Sequence, residues 1–382
     1  MKVGIVVPFS WSFWGGVPEH ADHQARALLD LGHDVRIIMG HDPPGRLTKM
    51  LHPREGRHER PPPYVIPVGR SVIVPANGSL SNIVLTPRSM LRIKRAIEQE
   101  RFDVLHVHEP LTPIISVCAL TQARGPVVST SHVAGEALRW YLLAHKAWGM
   151  LAERIDVKLA VSERARESAR PFLGDPIEIL PNGVVIPPEA EAGERLHHVV
   201  FIGRNEPRKG LPVLLRAWPE VAAKTGARLR VIGADPLSVR WLMRRHGFSE
   251  DHVDLLGSLP EEELTAELLQ AKALAAPAIG RESFGMVLTR AFGCATPVVA
   301  SDIEGYRDVA TPETGVLVPP GEPRALADAL VTLLTDEERR RRLGHAGREL
   351  ASERYSWERI GARLEGIYRR LVEASPAAQA AA

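Results

Sequence analysis

Val199-Val200-Phe201-Ile202-Gly203-Arg204 is an apolar run that ends in a glycine and a cation. A short apolar run closed by a breaker is typical of a strand buried in a parallel sheet. Lys209-Gly210 follows, and a helical pattern begins directly after it. Because ligands of open α/β sheets bind at the carboxyl ends of the strands, the stretch predicts an α/β fold with both cations at the ligand-binding edge.

The same alternation of strand and helix patterns runs through both halves of the 382-residue chain. The first half predicts helices at residues 19–31 and 87–99 and after residue 135, and strands at residues 3–7, 35–39, 104–108, 126–130 and 157–161. The second half predicts strands at residues 229–232, 253–256, 274–276, 298–300 and 316–318. Such alternation implies two parallel sheets flanked by helices.

Two segments interrupt the alternation. Residues 45–63 are rich in Pro, Arg and His without a clear period, and they are predicted to form a surface loop. Residues 187–193 are polar and rich in breakers, and they are predicted to form the interdomain linker.

Arg281-Glu282-Ser283-Phe284-Gly285 stands directly before a helix that opens at Met286. The free amides of a helix's first turn bind phosphate oxygens, and a Glu fixed beside them can accept hydrogen bonds from sugar hydroxyls. A Glu in this position can also do no more than complement the helix dipole. Together with the cations of the earlier strand, the motif predicts a site for a phosphorylated sugar.

In this order, Arg204, Lys209 and the motif at residues 282–285 resemble the donor site of the retaining GT-B glycosyltransferases of family 4. The resemblance covers nearly the whole chain, and it includes Gly15-Gly16-Val17, Asn77-Gly78-Ser79, His106-Val107-His108-Glu109-Pro110, Ser131-His132, Leu180-Pro181-Asn182-Gly183-Val184 and Thr296-Pro297-Val298-Val299-Ala300-Ser301-Asp302. Within the family, the chain looks most like the actinobacterial phosphatidylinositol mannosyltransferases. This narrower resemblance depends on the Gly-Gly-Val loop, residues 77–79 and residues 108–110.

The resemblance implies a GT-B fold of two Rossmann-like, doubly wound α/β domains facing across a cleft. An acceptor-binding domain is expected at residues 1–184 and a nucleotide-sugar-binding domain at residues 185–355. Residues 356–382 are expected to form a helix that returns to the N-terminal domain, followed by a frayed tail. The implied activity is transfer of a hexose, with mannose from GDP-mannose the leading expectation, to a phosphatidylinositol-like or other membrane-associated acceptor. A donor such as UDP-glucose with a soluble or glycan acceptor is the alternative.

The resemblance also assigns roles to individual residues. Arg204 and Lys209 would stabilise the charge that grows on the leaving diphosphate, Glu282 would orient the sugar hydroxyls, and His132 would help to position the donor. The further donor-binding residues are Gly15, Gly16, Gly203, Ser283, Phe284, Gly285 and Arg290. In this family the departing phosphate oxygen takes the acceptor's proton, so no protein nucleophile is expected. Because two protein cations are present and the family generally works without a metal, no metal cofactor is expected either.

The chain departs from the family pattern at one position of the donor site. The family places a second Glu eight residues after the first, where it binds the nucleotide ribose, and Arg290 stands there. A donor-only cation thus replaces an acceptor of ribose hydroxyls, a loss that typically costs about 1.5 to 3 kcal/mol of binding. Arg290 could instead pair with Glu282 or another acid, or reach a phosphate. Because of this substitution, a further alternative stays open: the protein is a catalytically silent relative of the family that binds lipid or a protein partner.

The acceptor side has two candidate features. By resemblance, Asn77, Gly78 and Ser79 would hold an inositol phosphate. Arg88, Arg92 and Arg95 follow at helical spacing on one face, which suits an anionic membrane surface, although a solvated helix face has the same pattern.

The composition limits the classes of function that the protein can have. A net charge of +2 is close to balance and gives no indication of a nucleic-acid partner. Cys118 and Cys294 lack metal-ligand spacing and are predicted to be buried thiols of a cytoplasmic protein. No run reaches the roughly 18 apolar residues of a membrane span, so any contact with the inner face of the plasma membrane is expected to be peripheral. A metal site formed by His106, His108 and His132 is a minor alternative. The sequence lacks the Gly-x-Gly-x-x-Gly pattern of dinucleotide-binding folds and the Walker pattern of phosphate-binding loops, so neither kind of site is predicted.

Overall fold

A computed structural model describes residues 1–13, 15–52, 60–76, 79–132, 145–188 and 195–375. The described chain divides into two compact units. The first is formed by Met1–Gly183 together with the C-terminal segment that begins at Trp357, and the second is Val184–Ser356.

The first unit is built on a mostly parallel sheet with the strand order β3-β2-β1-β6-β7-β8-β9, while β4 and β5 form an antiparallel hairpin joined to β1. Its strands are β1 Lys2–Ser10, β2 Asp34–Gly40, β3 Val65–Pro67, β4 Val72–Ala76, β5 Ser79–Ile83, β6 Val104–His108, β7 Val127–Ser131, β8 Val157–Ala160 and β9 Glu178–Ile179. Its helices are α1 Gly16–Asp30, α2 Arg46–Leu51, α3 Pro87–Glu100, α4 Ile115–Gln122, α5 His145–Ala152, α6 Glu163–Leu173 and, from the end of the chain, α14 Trp357–Glu373.

The second unit is a parallel sheet with the strand order β12-β11-β10-β13-β14-β15. Its strands are β10 Leu196–Ile202, β11 Arg228–Ile232, β12 Val253–Gly257, β13 Ala271–Ala276, β14 Val298–Ser301 and β15 Gly315–Val318. Its helices are α7 Leu211–Thr225, α8 Pro236–His246, α9 Glu261–Gln270, α10 Met286–Gly293, α11 Glu304–Arg307, α12 Pro323–Thr335 and α13 Glu337–Leu350, with a 3-10 turn at Pro207–Lys209 and a π-helical turn at Ala351–Tyr355.

The strand order reverses in each sheet at a point that matters for ligand binding. In the second unit β10 lies between β11 and β13, so the connections leaving β10 and β13 run in opposite directions. The loops at the carboxyl ends of two such strands separate and leave a crevice, where ligands of doubly wound sheets bind. In the first unit β1 and β6 stand in the same relation.

Each strand predicted from the sequence is present, and the errors concern short elements that were not predicted. The predicted loop at residues 45–63 is wrong at Arg46–Leu51, which form α2. Six residues are too few to display a helical period, and the helix buries none of its side chains. The sequence reading also missed β3 and the β4–β5 hairpin. The helix predicted after residue 135 begins outside the described residues, which resume at residue 145 in α5.

The C-terminal helix α14 belongs to the core of the first unit. Ile360, Leu364 and Ile367 recur every three or four residues, so they form one face, and this helix packs against α1 and β6. The hydroxyl of Tyr368 lies 2.9 Å from Gln24 Nε2 of α1. The last helix thus joins a sheet whose strands lie more than 170 residues earlier in the chain.

Candidate active site

The cations and the acidic motif predicted from sequence meet in the second unit. Arg204 follows β10 and Glu282 follows β13, and these strands are neighbours at the point where the strand order reverses. Lys209 ends the 3-10 turn between β10 and α7. The parallel register therefore brings to one edge groups that the sequence separates widely.

Glu282 is the centre of an ion-pair network. Its side chain is buried, and Oε1 lies 2.8 Å from Lys209 Nζ and 2.8 Å from Arg208 Nη1. Two cations hold the carboxylate in one orientation, so its remaining lone pairs keep a fixed direction. A fixed, ionised acceptor of this kind suits sugar hydroxyls.

Arg208 extends the network to a second carboxylate. Its Nε donates to Glu206 Oε2 at 2.9 Å, and Arg204 Nη2 lies 2.9 Å from Glu206 Oε1. The chain of charges runs Arg204, Glu206, Arg208, Glu282, Lys209, so three cations and two carboxylates leave a net charge of +1. A local excess of positive charge favours a diphosphate over a neutral ligand.

Gly210 makes this arrangement sterically feasible. Its φ of +73° lies in the left-handed region, and a Cβ at this position would clash with the carbonyl oxygen of Pro277. The close approach of the α7 start to the segment after β13 brings Lys209 to Glu282. The sequence predicts Lys209 and Gly210 at this edge but not the close contact with Pro277 that requires a glycine.

The start of α10 supplies backbone donors beside Glu282. Gly285 caps the helix with a φ of +84°, and its carbonyl accepts the amide of Leu288 at 2.9 Å. The ring of Phe284 is buried against Tyr355, with ring centroids 5.6 Å apart, so only the Phe284 backbone can face a ligand. Ser283 is half-buried between Glu282 and Phe284. The predicted use of main-chain amides at residues 283–285 is compatible with this geometry.

His132 belongs to a buried group of imidazoles in the first unit. It follows β7, and its Nε2 lies 2.8 Å from Nδ1 of His108, the last residue of β6. The backbone amide of His132 donates to Glu109 Oε1 at 2.7 Å. His20 of α1 packs edge-on against His132, with ring centroids 4.9 Å apart, and His106 stacks on His108 at 4.7 Å. We refer to His20, His106, His108 and His132 as the histidine cluster.

Burial keeps the histidine cluster neutral. It lowers the pKa of His20 and the pKa of His106 to about 3, and it holds the pKa of His108 and of His132 well below the ordinary value. The neighbouring rings lower these pKa values further, since a second positive charge would repel the first. His132 can therefore position a ligand through hydrogen bonds as an uncharged ring.

Ring nitrogens of His20, His108 and His132 lie within 4.8 Å of one another, close enough to be considered as metal ligands. Three neutral imidazoles are a donor set for zinc or copper. However, His108 and His132 already bond directly to each other, which occupies one candidate ligand atom of each. The geometry thus favours hydrogen-bonded rings, and the absence of a catalytic metal stays a prediction.

Similarity to known proteins identifies the family of this chain. A family model described as Glycosyltransferase Family 4 matches residues 14–186, and one described as Glycosyl transferases group 1 matches residues 197–336. A phosphatidyl-myo-inositol mannosyltransferase of Mycobacterium leprae (strain TN) is 34% identical over 377 residues, which cover 96% of each chain. The chain belongs to glycosyltransferase family 4. A phosphatidyl-myo-inositol mannosyltransferase of Propionibacterium freudenreichii subsp. shermanii is also 34% identical, over 96% of this chain and 94% of that one.

A solved structure supports the fold of this glycosyltransferase. Sucrose-phosphate synthase from Thermosynechococcus elongatus aligns with a TM-score of 0.74 at 21% identity, over 98% of this chain and 100% of that one. A likeness at this identity shows the fold alone. The predicted GT-B class, with two parallel-sheet α/β domains, is confirmed.

Arg290 of this family 4 glycosyltransferase pairs with a different acid from Glu282. Its Nη2 lies 3.8 Å from Oε1 of Glu261, the first residue of α9. Arg290 sits in the last turn of α10, where its charge also complements the helix dipole. Of the alternatives that the sequence left open for Arg290, the structure shows the ion pair with another acid.

The glycine loop and the acceptor loop are described only in part. Gly15 caps α1 in an extended conformation, with a φ of −168°, and a Cβ there would meet nothing within 4 Å. Gly16 is the first residue of α1. Asn77 and Gly78 lie outside the described residues, and Ser79 begins β5. Their predicted roles in donor and acceptor binding stay predictions.

The three cations predicted to face a membrane lie on α3 as expected from their spacing. Arg88, Arg92 and Arg95 are exposed, while Ile93 and Ile97 on the opposite face are buried. Cys118 and Cys294 are buried thiols, as predicted. Among the residues that the structure describes, no helix is long and apolar enough to cross a membrane.

Sequence reasoning missed Arg208, Glu206 and His20. Arg208 precedes Lys209 in a loop, and two adjacent cations give no local signal of which one turns inward. His20 lies on α1 among other polar residues, and nothing in its neighbours distinguishes it from a solvent-facing helical histidine. Only the tertiary contacts of the two residues reveal their place beside Glu282 and His132 respectively.

Proposed function

We propose that this protein is a retaining mannosyltransferase that moves mannose from GDP-mannose to a phosphatidylinositol-like acceptor at the cytoplasmic face of a membrane, without a catalytic metal. The observation that carries the proposal is the Glu282 network, a buried carboxylate fixed between Arg208 and Lys209 at the reversal point of the second sheet. Relatives at 34% identity over nearly the whole chain, named phosphatidyl-myo-inositol mannosyltransferase, support the choice of sugar and acceptor.

The proposed reaction breaks the bond between the anomeric carbon and the diphosphate oxygen while the acceptor hydroxyl attacks from the same face. The acceptor's proton passes to the departing phosphate oxygen, so configuration is retained and no protein base is required. Arg204 and Lys209 stabilise the negative charge that develops on this oxygen. The amides at residues 283–285 add partial positive charge at the start of α10. Glu282 holds the sugar hydroxyls, and the neutral His132 donates or accepts a hydrogen bond without adding a charge.

The test is transfer of radiolabelled mannose from GDP-mannose to phosphatidylinositol in vesicles, with UDP-glucose as the competing donor and with excess EDTA in a parallel arm. Labelled lipid from GDP-mannose, formed equally in EDTA and with the α anomer shown by NMR, is the expected result. Product from UDP-glucose alone would replace the proposed donor. Loss of product in EDTA would refute the metal-free mechanism.

Lys209→Ala tests the role of the network. Removing a cation that stabilises the transition state is expected to lower kcat about 100-fold or more, since single donors of this kind contribute that much elsewhere. Lys224→Ala is the matched control, because Lys224 is an exposed lysine of the same unit that pairs with Glu220 on α7. Equal activity of both variants would contradict the proposed role of Lys209.

Arg290 supports a second candidate function, a catalytically silent relative that binds lipid or a protein partner. An arginine replaces the carboxylate that the family motif places at this position, and it is engaged with Glu261. Calorimetric titration of wild type and Arg290→Glu with GDP, GDP-mannose, UDP and UDP-glucose separates the two candidates. Selective binding by the wild type supports an active donor site. Binding by the variant alone would mean that the protein has given up its donor site.

A further inference from the structure

The outward face of α8 carries two large apolar side chains in contact with solvent. Leu237 is 74% exposed and Trp241, one turn later on the same face, is 60% exposed. The opposite face is fixed to the second unit's core by Val239 and Met243, which are buried. Since a helix on the surface of a globular domain normally turns polar residues outward, this face is not explained by packing within the unit.

Cations surround the apolar pair. Arg240, Arg244 and Arg245 share the exposed side of α8, and the helix from Pro236 to His246 contains no acidic residue. The guanidinium of Arg245 lies 5.0 Å from the centre of the Trp241 ring, a cation–π contact that keeps charge and ring together.

The acidic residues that flank α8 in the chain are Asp235 before it and Glu250 and Asp251 after it. Asp235 accepts the amide of Ser238 at 2.9 Å and is thereby engaged as the N-cap. Beyond the C-terminus, Glu250 lies 3.7 Å from Arg240 and Asp251 accepts from Ser249. Leu237, Trp241, Arg244 and Arg245 therefore form a surface that combines apolar and positive groups, while Glu250 partly offsets the charge of Arg240.

We propose that this face of α8 docks onto an anionic lipid surface. Trp is favoured at the boundary between headgroups and acyl chains, where its ring is buried and its N–H stays hydrated. Leu237 would insert beside it, and the arginines would meet lipid phosphates, each contributing attraction to an anionic surface. The proposal concerns the second unit and does not rest on the donor site or on α3.

The small size of the face favours lipid over a protein partner. Eleven residues at about 1.5 Å each give a helix about 16 Å long and about 10 Å wide, which presents about 160 Å². A stable protein interface needs about 800 Å² on each partner. Binding to a bilayer needs no such minimum area. Acyl chains and headgroups are fluid, so they surround each inserted side chain without requiring a complementary protein surface.

The test places an environment-sensitive fluorophore on the full-length chain through Leu237→Cys. Both native cysteines, Cys118 and Cys294, are buried thiols, so labelling is directed to residue 237. Vesicles of phosphatidylcholine mixed with phosphatidylglycerol are expected to shift the emission to the blue, and vesicles of phosphatidylcholine alone are not. An unchanged spectrum on anionic vesicles with which the protein sediments would overturn the proposal, since binding would then use another surface.

Charge and apolar variants complete the test. Arg244→Gln/Arg245→Gln is expected to weaken vesicle binding at least tenfold, because each arginine contributes severalfold to attraction by an anionic surface. Arg341→Gln/Arg342→Gln on the exposed side of α13 removes the same charge from the same unit and is expected to leave binding within twofold. Trp241→Ser is expected to weaken binding without loss of fold by circular dichroism. Equal effects of the two charge variants, or a blue shift that grows with protein concentration in the absence of lipid, would refute a specific lipid-binding face.

Discussion

Acidification is expected to destabilise the first unit through the histidine cluster. Burial lowers the pKa of His20 and of His106 from 6.5 to about 3, so both rings are neutral in the folded unit across most of the acid range. The unfolded chain binds a proton at each site below about pH 6.5, and this favours unfolding. The stability contributed by the neutral rings is therefore complete above pH 6.5 and is lost as the pH falls towards 3.

The magnitude follows from the difference between the two pKa values. At pH 5 an unfolded histidine is about 1.5 pH units below its pKa while the folded ring is still neutral, so each site costs about 2 kcal/mol at 1.36 kcal/mol per unit. His20 and His106 together give about 4 kcal/mol, which is a large share of the stability of an ordinary domain. His108 and His132, whose pKa values are also lowered, act in the same direction.

Urea unfolding monitored by circular dichroism at pH 7 and pH 5 measures this difference. His106→Gln removes one titrating ring, so the loss between the two pH values is expected to shrink by about 2 kcal/mol whatever the variant's stability at pH 7. His345→Gln, on the exposed side of α13, is the control and is expected to leave the loss unchanged. A wild-type loss below about 1 kcal/mol, or an unchanged loss in His106→Gln, would refute the assignment of neutral buried rings.

Two further predictions concern the donor side. Arg208→Gln removes the charged hydrogen bonds to Glu206 and Glu282, and kcat/KM for the sugar donor is expected to fall about tenfold or more with an unchanged circular dichroism spectrum. Arg208→Lys, which keeps the charge, should show a smaller loss, and full activity of Arg208→Gln would contradict a positioning role. Gly210→Ala is expected to cost about 3 kcal/mol of unfolding free energy from its left-handed backbone and its clash with the Pro277 carbonyl. Gly226→Ala, with a φ of +70° and open space around its Cβ, should cost only about 1 kcal/mol in the same urea titration; equal costs would show that the clash is relieved.

Local sequence patterns were sufficient to predict the strands of the two parallel sheets, but not α2 or the β4–β5 hairpin. The apolar run at residues 199–202 and its counterparts predicted strands because burial on both faces requires consecutive apolar residues. Helix α2 was missed because six residues form fewer than two helical turns. The β4–β5 hairpin was missed because Pro75 interrupts the apolar run of β4 and because β5 is mostly polar. The return of the last helix was predicted from the family resemblance and not from periodicity, because it depends on which apolar faces fit together.

Some features of the donor site were predicted from the sequence, and others were decided only by the tertiary structure. The sequence by itself placed Arg204 and Lys209 at the carboxyl end of a strand and Glu282 directly before a helix, because both positions follow from the order of strands and helices. Only the tertiary structure decided the ion-pair partners: Glu282 bonds to Arg208, 74 positions earlier, and Arg290 pairs with Glu261. Burial of the histidine cluster was likewise decided by packing among α1, β6, β7 and α14. Periodicity is a property of neighbouring residues, whereas the partner and the solvation of a charged or polar group depend on residues that only folding brings near it.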